Sequence, residues 1–317
     1  MLWKECDMKI LVAMLGGTIS SYHETGGIDL SSLFDFSSFR MPLPATEMPK
    51  DFSVIKLGSS SFVKEFLISS FPEHSFVFPE FATYSSENAT PEVFREALNR
   101  IIIEAKKSDY DGILITHGTD TCAFFAQLAA RVLSTLGIPF VITGSILVPD
   151  LYPQEAEGNL SFAVQKLKEG RSGVVFSNKR ETPQIYRAHL IMSPDADGYF
   201  SEYSNKTNRA KFKPGDCSGF LSKDILPKIL VIPSVPGSVI PDKGFDRVLI
   251  CCNHSGTAST DLEPLVREWS SRGIDCYMAP VPIMGGIYES RKRLTDAGAI
   301  ELPGMPIEGA WAEVLLR

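Results

Sequence analysis

The sequence has few of the features that mark proteins that bind nucleic acid or cross membranes. Of its 317 residues, 31 are basic and 38 are acidic, which gives a formal net charge of -7. A chain without a basic excess gains little from releasing counterions from a phosphate backbone, so we expect no nucleic-acid partner. No apolar run reaches the roughly 18 residues that a membrane-spanning helix needs, so we expect no membrane insertion either.

Cysteine is scarce as well, with six residues and no paired C-x-x-C spacing. Most of these cysteines lie inside apolar runs, which is typical of buried free thiols rather than of zinc ligands or a disulfide framework. At the N-terminus, Lys9 directly precedes a short apolar run that leads into glycines, which favours a first strand over a secretory signal. These features predict a cytoplasmic protein.

The remaining composition is that of an ordinary globular protein, with 44% apolar and 22% charged residues. Single hydrophobic cores stop growing at roughly 250–300 residues, so the length favours two domains. Residues 179–227 are polar and irregular, which is typical of a connection between domains. We therefore predict a first domain at 1–210, a linker at 211–227 and a second domain at 228–317.

Short apolar runs that end in small or polar residues recur along the chain and predict buried strands. Helical spacing of apolar residues follows at 122–137, which ends on Gly137, and at 261–273. The alternation predicts an α/β fold in which a larger N-terminal domain with a mainly parallel sheet is joined to a smaller C-terminal α/β domain. The predicted strands lie at 9–18, 111–120, 138–146, 172–178, 228–238, 246–256 and 274–280.

Small polar residues follow two of these strands, in "LGGTISS" (15–21) and "THGTDT" (116–121). In open parallel sheets the ligand crevice lies outside the carboxyl ends of the strands, so these side chains are candidates for a binding site. The glycine pair before Thr18 lets backbone approach a ligand and leaves the hydroxyl accessible, although a glycine pair alone also fits an ordinary tight turn or a phosphate-binding turn. A third stretch, "YSSENATPEVF" (84–94), predicts a helix start at Thr90 and Pro91, which taken alone is only a cap.

In combination the three stretches resemble the bacterial-type L-asparaginase family, which includes glutaminase-asparaginases and the D subunit of archaeal glutamyl-tRNA amidotransferase. "HGTDT" is the most specific of them, and "TGSILVP", "AEGNLSFA", "PSVPGS" and "MGGIYESRKRLTDAGAI" extend the similarity along the whole chain. The resemblance implies a two-domain α/β fold with the active site at strand ends near a subunit interface. It also implies a homodimer or homotetramer, a small-molecule amide or amino acid as ligand, and no metal or organic cofactor.

The resemblance further implies a role for individual residues. Thr18 matches the nucleophilic threonine that forms an acyl-enzyme, and Thr119 matches the second catalytic threonine. Asp120 matches the carboxylate that holds the substrate amino group, and Ser86 matches the serine that binds the substrate carboxylate. His117 is expected to support its loop rather than to catalyse. The substrate-binding set that the pattern implies is completed by Glu87, Gly17 and Gly118.

The sequence departs from the family pattern at two expected catalytic partners. The family usually has a tyrosine on a lid about ten residues beyond the first threonine, where the alignment gives Gly27; Tyr22 is a possible substitute. A family lysine that partners the second threonine aligns with Leu190, and leucine cannot relay a proton.

A third departure is "NHSGTAST" (253–260), which replaces a family Gly-Asn segment that reaches toward a neighbouring site. His254 or Ser255 is therefore a possible accessory residue. The same stretch also fits a plain helix-start loop capped by Thr260 or Asp261.

Three functional hypotheses follow. The first is an asparaginase-type amidohydrolase that acts on the side-chain amide of asparagine or a related small amide through a threonine acyl-enzyme. The second is a divergent enzyme that uses the same chemistry on another amide. The third is a catalytically impaired homologue that binds an amino acid without turnover.

Overall fold

The computed structural model describes residues 7–24, 54–57, 61–150, 152–178, 182–196, 198–203, 217–283 and 286–317. The elements of this part of the chain are, in order, β1 Lys9–Met14, β2 Ser21–Glu24, β3 Val54–Leu57, α1 Phe62–Ser70, β4 Ser75–Val77, α2 Pro91–Ala105, β5 Gly112–Thr116, α3 Cys122–Leu133, β6 Phe140–Thr143, α4 Pro153–Lys168, β7 Gly173–Phe176, β8 Gln184–Tyr186, β9 Ile191–Met192, β10 Ser201–Glu202, α5 Ser218–Ser222, β11 Ile229–Ile232, β12 Arg247–Cys251, α6 Glu263–Ser271, β13 Asp275–Val281, α7 Glu289–Asp296, β14 Ile300–Pro303 and α8 Ile307–Leu316.

The larger sheet, called the N-terminal sheet below, has six strands in the order β4-β1-β5-β6-β7-β8. Its strands pair in parallel except for β8, which runs antiparallel to β7. The chain passes from β1 to β4 on one side and then to β5 on the other, so the strand order reverses across β1. Such a reversal opens a crevice at the carboxyl ends of β1 and β5, where ligands bind in open α/β sheets.

Helices cover both faces of the N-terminal sheet. On one face α2 and α3 pack on strand residues such as Ile113 and Ile115, and on the other α1 and α4 pack on Val12 and Leu114. All four of these strand side chains are fully buried. Burying a residue of this size contributes about 1.5–3 kcal/mol, which explains why the strands are continuous apolar runs rather than alternating ones.

The smaller C-terminal sheet has the strand order β11-β12-β13-β14, all parallel and in chain order. Helices α6 and α7 cover one face, and α8 covers the other through Ala310 and Val314. The opposite side of α8 places Ala312 and Leu315 in the core of the N-terminal sheet, against α3. The predicted fold class is confirmed: a larger, mainly parallel α/β part is joined to a smaller C-terminal α/β part.

The predicted strands form at the expected places and end earlier than predicted, except the run at 274–280, which forms β13 and continues to Val281. The run at 228–238 stops at Ile232, since Pro233 and Pro236 have no N–H to donate to a sheet. Residues 179–227, predicted to be irregular, contain β8, β9, β10 and α5. Residues 204–216 lie outside the described part, so the domain limits at 210 and 227 stay predictions.

Within the described ranges, none of the helices combines the length and the apolar character needed to cross a bilayer.

Candidate active site

The loop after β1 places a threonine at the carboxyl edge of the N-terminal sheet. The Leu15 N–H donates to the Thr116 carbonyl at the end of β5 (3.2 Å), which ties this loop to the neighbouring strand. Gly17 then adopts φ 87°, a left-handed conformation that favours glycine, and Thr18 opens a 3-10 turn. The Ser21 hydroxyl donates to the Gly17 carbonyl (2.9 Å) and holds the turn closed. Thr18 is half-buried at the first position of this turn.

The loop after β5 brings a second threonine and a carboxylate to the same edge. The His117 N–H donates to the Thr143 carbonyl (2.9 Å), which extends the pairing of β5 with β6 by one residue. The Cys122 N–H then donates to the Thr119 carbonyl (3.3 Å), where α3 begins. Thr119 is half-buried and Asp120 is exposed. The residues between strand and helix therefore face the crevice between β1 and β5.

The two loops meet at a pair of glycines. A Cβ at Gly17 would lie 2.5 Å from the Gly118 nitrogen and 2.6 Å from the His117 carbonyl carbon. A Cβ at Gly118 would lie 2.6 Å from the Ser86 Cβ. Because no side chain fits at these distances, both positions need glycine. Thr18 and Thr119 each follow one of these touching glycines, so the structure brings the two predicted catalytic threonines to one place.

A third loop completes the cluster. The Tyr84 N–H donates to the Leu15 carbonyl (3.1 Å), and the Thr121 hydroxyl donates to the Ser86 carbonyl (2.8 Å). The Ser86 hydroxyl, in a side chain that is only 3% exposed, donates to Asp120 Oδ2 (3.0 Å). Ser86 therefore orients the Asp120 carboxylate at the edge of the crevice.

The helix start predicted just beyond this loop is also confirmed. Thr90 caps α2, and its hydroxyl accepts from the Val93 N–H (3.4 Å), with Pro91 at the first helical position.

His117 lies beneath this cluster and is buried. Its Nδ1–H donates to the Gly118 carbonyl (2.8 Å), which leaves Nε2 to accept from the Tyr84 hydroxyl (2.9 Å). The imidazole stacks on Phe125 with ring centroids 4.7 Å apart. Burial lowers the pKa of His117 to about 4, against smaller opposing effects of the Gly118 carbonyl and Asp120, so the ring is neutral near pH 7. The contacts agree with the supporting role expected for this histidine.

The cysteine nearest the cluster is a thiol rather than a nucleophile. Burial raises the pKa of Cys122 to about 12, so almost no thiolate is present at neutral pH. The prediction of free thiols is confirmed for the described cysteines, of which only Cys251 is not fully buried, whereas Cys6 lies outside the described residues. The described ranges contain no group of three or more His, Cys, Asp or Glu residues that could hold a metal ion.

The remaining predicted residues differ in how close they come to the cluster. Glu87 adjoins Ser86 and is exposed. Tyr22 lies on β2, which directly follows the 3-10 turn of Thr18, and its side chain is 45% exposed. Gly27 lies outside the described residues.

The possible accessory residues of the C-terminal sheet follow β12. His254 is exposed, and the Ser255 hydroxyl lies 3.0 Å from the Thr257 hydroxyl. Within the described ranges, no hydrogen bond joins His254 or Ser255 to Thr18 or Asp120. The expected cap at Thr260 or Asp261 was wrong, because a 3-10 turn precedes α6 and the preceding Ser259 accepts from the Asp261 N–H (3.2 Å).

The position aligned with the family lysine, Leu190, follows a strand that runs away from the carboxyl edge of the N-terminal sheet. Strand β8 is antiparallel to β7, with Gln184 opposite Phe176 and Tyr186 opposite Val174, so the chain runs toward the amino end of β7. Leu190 follows in a turn where its N–H donates to the Arg187 carbonyl (2.9 Å). The geometry therefore gives no support to equating Leu190 with a lysine that contacts Thr119.

Sequence reasoning missed a fourth loop, residues 144–148 after β6, which stands out in the sequence only as a stretch similar to the family. A Cβ at Gly144 would lie 2.5 Å from the His117 carbonyl oxygen and 3.0 Å from Phe176 Cζ. This loop therefore packs directly against the backbone that leads to Gly118. The signal that could have found it is the small-residue run Thr143–Ser145 at the end of an apolar strand.

The family model described as "Asparaginase, N-terminal" matches residues 9–198, which include all three loops of the cluster. The chain belongs to the asparaginase family. This is a family of amidohydrolases that act on carbon–nitrogen bonds in linear amides.

Individual relatives of this asparaginase-family chain are distant. It is 23% identical over 261 residues to the D subunit of glutamyl-tRNA(Gln) amidotransferase from Pyrococcus abyssi, covering 73% of this chain and 59% of that protein. It is 32% identical over 116 residues to L-asparaginase 1 of Escherichia coli, covering 36% and 32% of the two chains. The chain spans about three fifths of the length of the first curated relatives it matches.

The fold has close solved counterparts. The thermostable L-asparaginase from Thermococcus kodakarensis superposes with a TM-score of 0.67 at 21% identity, covering 98% of this chain and 92% of that one. At this identity the likeness shows a shared fold.

Proposed function

We propose that this chain is an amidohydrolase that cleaves the side-chain amide of asparagine or a related small amide through an acyl-enzyme on Thr18. The observation that carries the proposal is the contact between Gly17 and Gly118, which brings Thr18 and Thr119 to the crevice beside the Ser86–Asp120 hydrogen bond. Membership of an amidohydrolase family supports the same reaction class.

In the first half of the reaction, the Thr18 hydroxyl oxygen attacks the amide carbonyl carbon and loses its proton to a base. The tetrahedral intermediate collapses as the carbon–nitrogen bond breaks and the nitrogen leaves as ammonia with an added proton, which leaves an ester on Thr18. Backbone N–H groups of the two glycine loops are suited to hold the oxyanion that forms on the carbonyl oxygen. Water then attacks the ester, releases the carboxylate and restores the hydroxyl.

The other members of the cluster divide the work of binding and proton transfer. Asp120 keeps an exposed carboxylate in a fixed orientation, which suits the ammonium group of an amino-acid substrate. Ser86 orients that carboxylate and, with Glu87 beside it, forms the substrate-binding side. Thr119 supplies the second hydroxyl, and Tyr22 is the described tyrosine nearest in sequence to Thr18 that could assist it.

Glutamine is the second candidate substrate. Seven of the curated relatives are D subunits of glutamyl-tRNA(Gln) amidotransferase, which motivates testing a side chain one methylene longer than asparagine. We further propose that the chain acts in the cytoplasm, as its cysteine usage and N-terminal segment predict, and as a homodimer or homotetramer, as the family resemblance implies.

The test is ammonia release by the purified protein from L-asparagine, L-glutamine and a panel of other small amides. We expect release from at least one amide and a loss of about a thousandfold or more in Thr18→Ala. Thr295→Ala, a half-buried threonine on α7 beside the C-terminal sheet whose hydroxyl donates to the Lys292 carbonyl, is the matched control and should keep the wild-type rate.

A full wild-type rate of ammonia release in Thr18→Ala would contradict the role of Thr18 as the nucleophile. If the folded wild type releases no ammonia from any amide, calorimetry with L-aspartate separates the remaining hypotheses. Binding of L-aspartate would favour the catalytically impaired homologue. Absence of binding would contradict an amino-acid-binding pocket.

A further inference from the structure

Residues 144–148 form the part of the carboxyl edge that borders the glycine cluster on the β6 side. Gly144 packs on the His117 carbonyl, and His117 leads directly into Gly118 and Thr119. Ser145 is 1% exposed, and its hydroxyl donates to the Leu147 carbonyl (2.7 Å). A shift of this loop would therefore reach the backbone of the second catalytic threonine.

Two side chains of α4, Glu155 and Asn159, form hydrogen bonds to the backbone of this loop. Glu155 accepts from two consecutive backbone N–H groups, with Oε1 bonded to Ile146 (2.9 Å) and Oε2 bonded to Leu147 (3.0 Å). The Asn159 side-chain amide donates to the Gly144 carbonyl (2.9 Å) and is fully buried. Glu155 and Asn159 are four residues apart, so they lie on the same face of the helix.

Loop 144–148 follows the end of β6, so its backbone groups are bonded by these side chains instead of by a neighbouring strand. Gly144 is buried and the Ile146 and Leu147 amides are part-buried, and a backbone group that loses its partner away from water is destabilising, so the three bonds favour the observed loop conformation. A carboxylate that accepts two adjacent amides also fixes their orientation, because both oxygens are engaged. Burial raises the pKa of Glu155 above its ordinary value, and the two backbone amides oppose this shift in part.

We propose that Glu155 and Asn159 are positioning residues that hold loop 144–148 against His117 and thereby keep Thr119 aligned with Thr18. Neither residue touches the threonines; their effect passes through Gly144 and the His117 carbonyl. The catalytic consequence rests on the proposed amide hydrolysis, whereas the anchoring of the loop does not.

The experiment compares Glu155→Gln and Asn159→Ala with Glu157→Gln, a matched change two residues along α4. Hydrogen exchange followed by mass spectrometry measures the loop itself, and steady-state kinetics on the best amide separates kcat from KM. In Glu155→Gln we expect exchange of the 144–148 amides to rise about tenfold. We expect kcat to fall about 10- to 100-fold with KM changed less, because misalignment acts on the transition state. Glu157→Gln should match wild type in both measurements.

Asn159→Ala is a second variant in case Glu155→Gln is too unstable to interpret, because it removes only the hydrogen bond to the Gly144 carbonyl. It should show the same kcat-dominated loss at a temperature where its circular dichroism equals that of wild type. Wild-type exchange in Glu155→Gln would overturn the anchoring. Faster exchange with unchanged kcat would overturn the positioning role.

The outcomes also separate this inference from the proposed function. If wild type hydrolyses no amide but binds L-aspartate, the proposed reaction fails, and the affinity for L-aspartate in Glu155→Gln decides whether the loop shapes the pocket. A weaker affinity supports the positioning role, and an unchanged affinity overturns it. If wild type neither hydrolyses an amide nor binds L-aspartate, the proposed function and the positioning role are both overturned. Faster hydrogen exchange of loop 144–148 in Glu155→Gln would then show only that Glu155 anchors the loop.

Discussion

The carboxyl edges of the N-terminal and C-terminal sheets differ in ways that make only one of them a candidate active site. Both edges carry loops of small polar residues after buried apolar strands. In the N-terminal sheet the strand order reverses across β1, so the loops after β1 and β5 leave in different directions and a crevice opens between them. In the C-terminal sheet the strands follow chain order, so no such reversal exists among its four strands.

The hydrogen bonds differ in the same way. At the N-terminal edge they cross between loops, as in Ser86 to Asp120 and Tyr84 to His117. After β12 the bonds that close the 253–257 turn stay within one loop: the Asn253 N–H donates to the Thr257 carbonyl, and the Gly256 N–H donates to the Asn253 carbonyl, both at 2.8 Å. The end of β12 is tied to its neighbours by the Cys252 N–H, which donates to the Ala279 carbonyl of β13, and by the Ser234 hydroxyl, which donates to the Cys251 carbonyl. Polar groups that bond one another locally are not held ready for a ligand. A cavity of about 600 Å³ lies at that edge, lined by the loops after β11 and β12.

The strongest test breaks the contact between loops at the N-terminal edge. Gly118→Ala would place a methyl group 2.6 Å from the Ser86 Cβ, which must push the loops apart. We expect kcat/KM for the best amide to fall by more than about 100-fold, because misplaced catalytic groups lose their alignment. Gly219→Ala, where a Cβ meets nothing within 4 Å, is the control and should be as active as wild type. Activity of Gly118→Ala within a few-fold of wild type would contradict the importance of the glycine contact.

A second test removes the negative charge of Asp120, whose carboxylate is oriented by the hydrogen bond from Ser86. Asp120→Asn keeps the size of the side chain but loses the attraction for a substrate ammonium group, so KM should rise about 10- to 100-fold. Asp109→Asn, an exposed aspartate before β5, should leave KM unchanged. Equal KM values for Asp120→Asn and wild type would show that Asp120 does not bind the substrate amino group.

A third test uses the buried histidine under the glycines. Above pH 6.5 His117 is neutral in both the folded and the unfolded chain; between 6.5 and about 4 only the unfolded chain gains the proton, so this contribution to stability is lost as the pH falls. The stability advantage of wild type over His117→Gln should narrow by up to about 3 kcal/mol from pH 7 to pH 4. Urea unfolding at several pH values measures it. A difference in unfolding free energy between wild type and His117→Gln that stays constant with pH would show that His117 is not held neutral.

The smallest effect is expected at the C-terminal edge. Ser259→Ala removes a cap before α6 and should lower the free energy of unfolding by about 1 kcal/mol. The rate of amide hydrolysis should stay within about twofold of wild type, since within the described residues the Ser259 hydroxyl bonds to Asp261, two residues along the chain, and not to the glycine cluster. A tenfold loss of kcat/KM at unchanged fold would place this edge in the active site after all.

The sequence predicts those parts of the molecule that depend on local patterns. The strand runs, the threonine and aspartate after the β5 strand, and the cap at Thr90 could all be recognised from spacing and side-chain type. The family was recognised from the order of three short stretches. In each case the residues that carry the signal lie close together in the chain.

The rest depends on contacts between distant parts of the chain. Tyr84 and His117 are 33 residues apart, and nothing in either segment predicts their hydrogen bond. The short edge strand β8 lies in a polar stretch, and its antiparallel direction, which carries the chain toward the amino end of β7 before Leu190, is set by pairing with β7. Glu155 lies on a helix that the strand and glycine patterns did not single out.

The central claim is that Thr18 carries the acyl group, and intact-protein and peptide mass spectrometry after rapid acid quenching tests it most directly. During turnover of the best amide, we predict an adduct equal to the substrate minus ammonia on the peptide that contains Thr18, and no adduct in Thr18→Ala. Ammonia release accompanied by an adduct on Thr119, or by the same adduct in Thr18→Ala, would contradict the account.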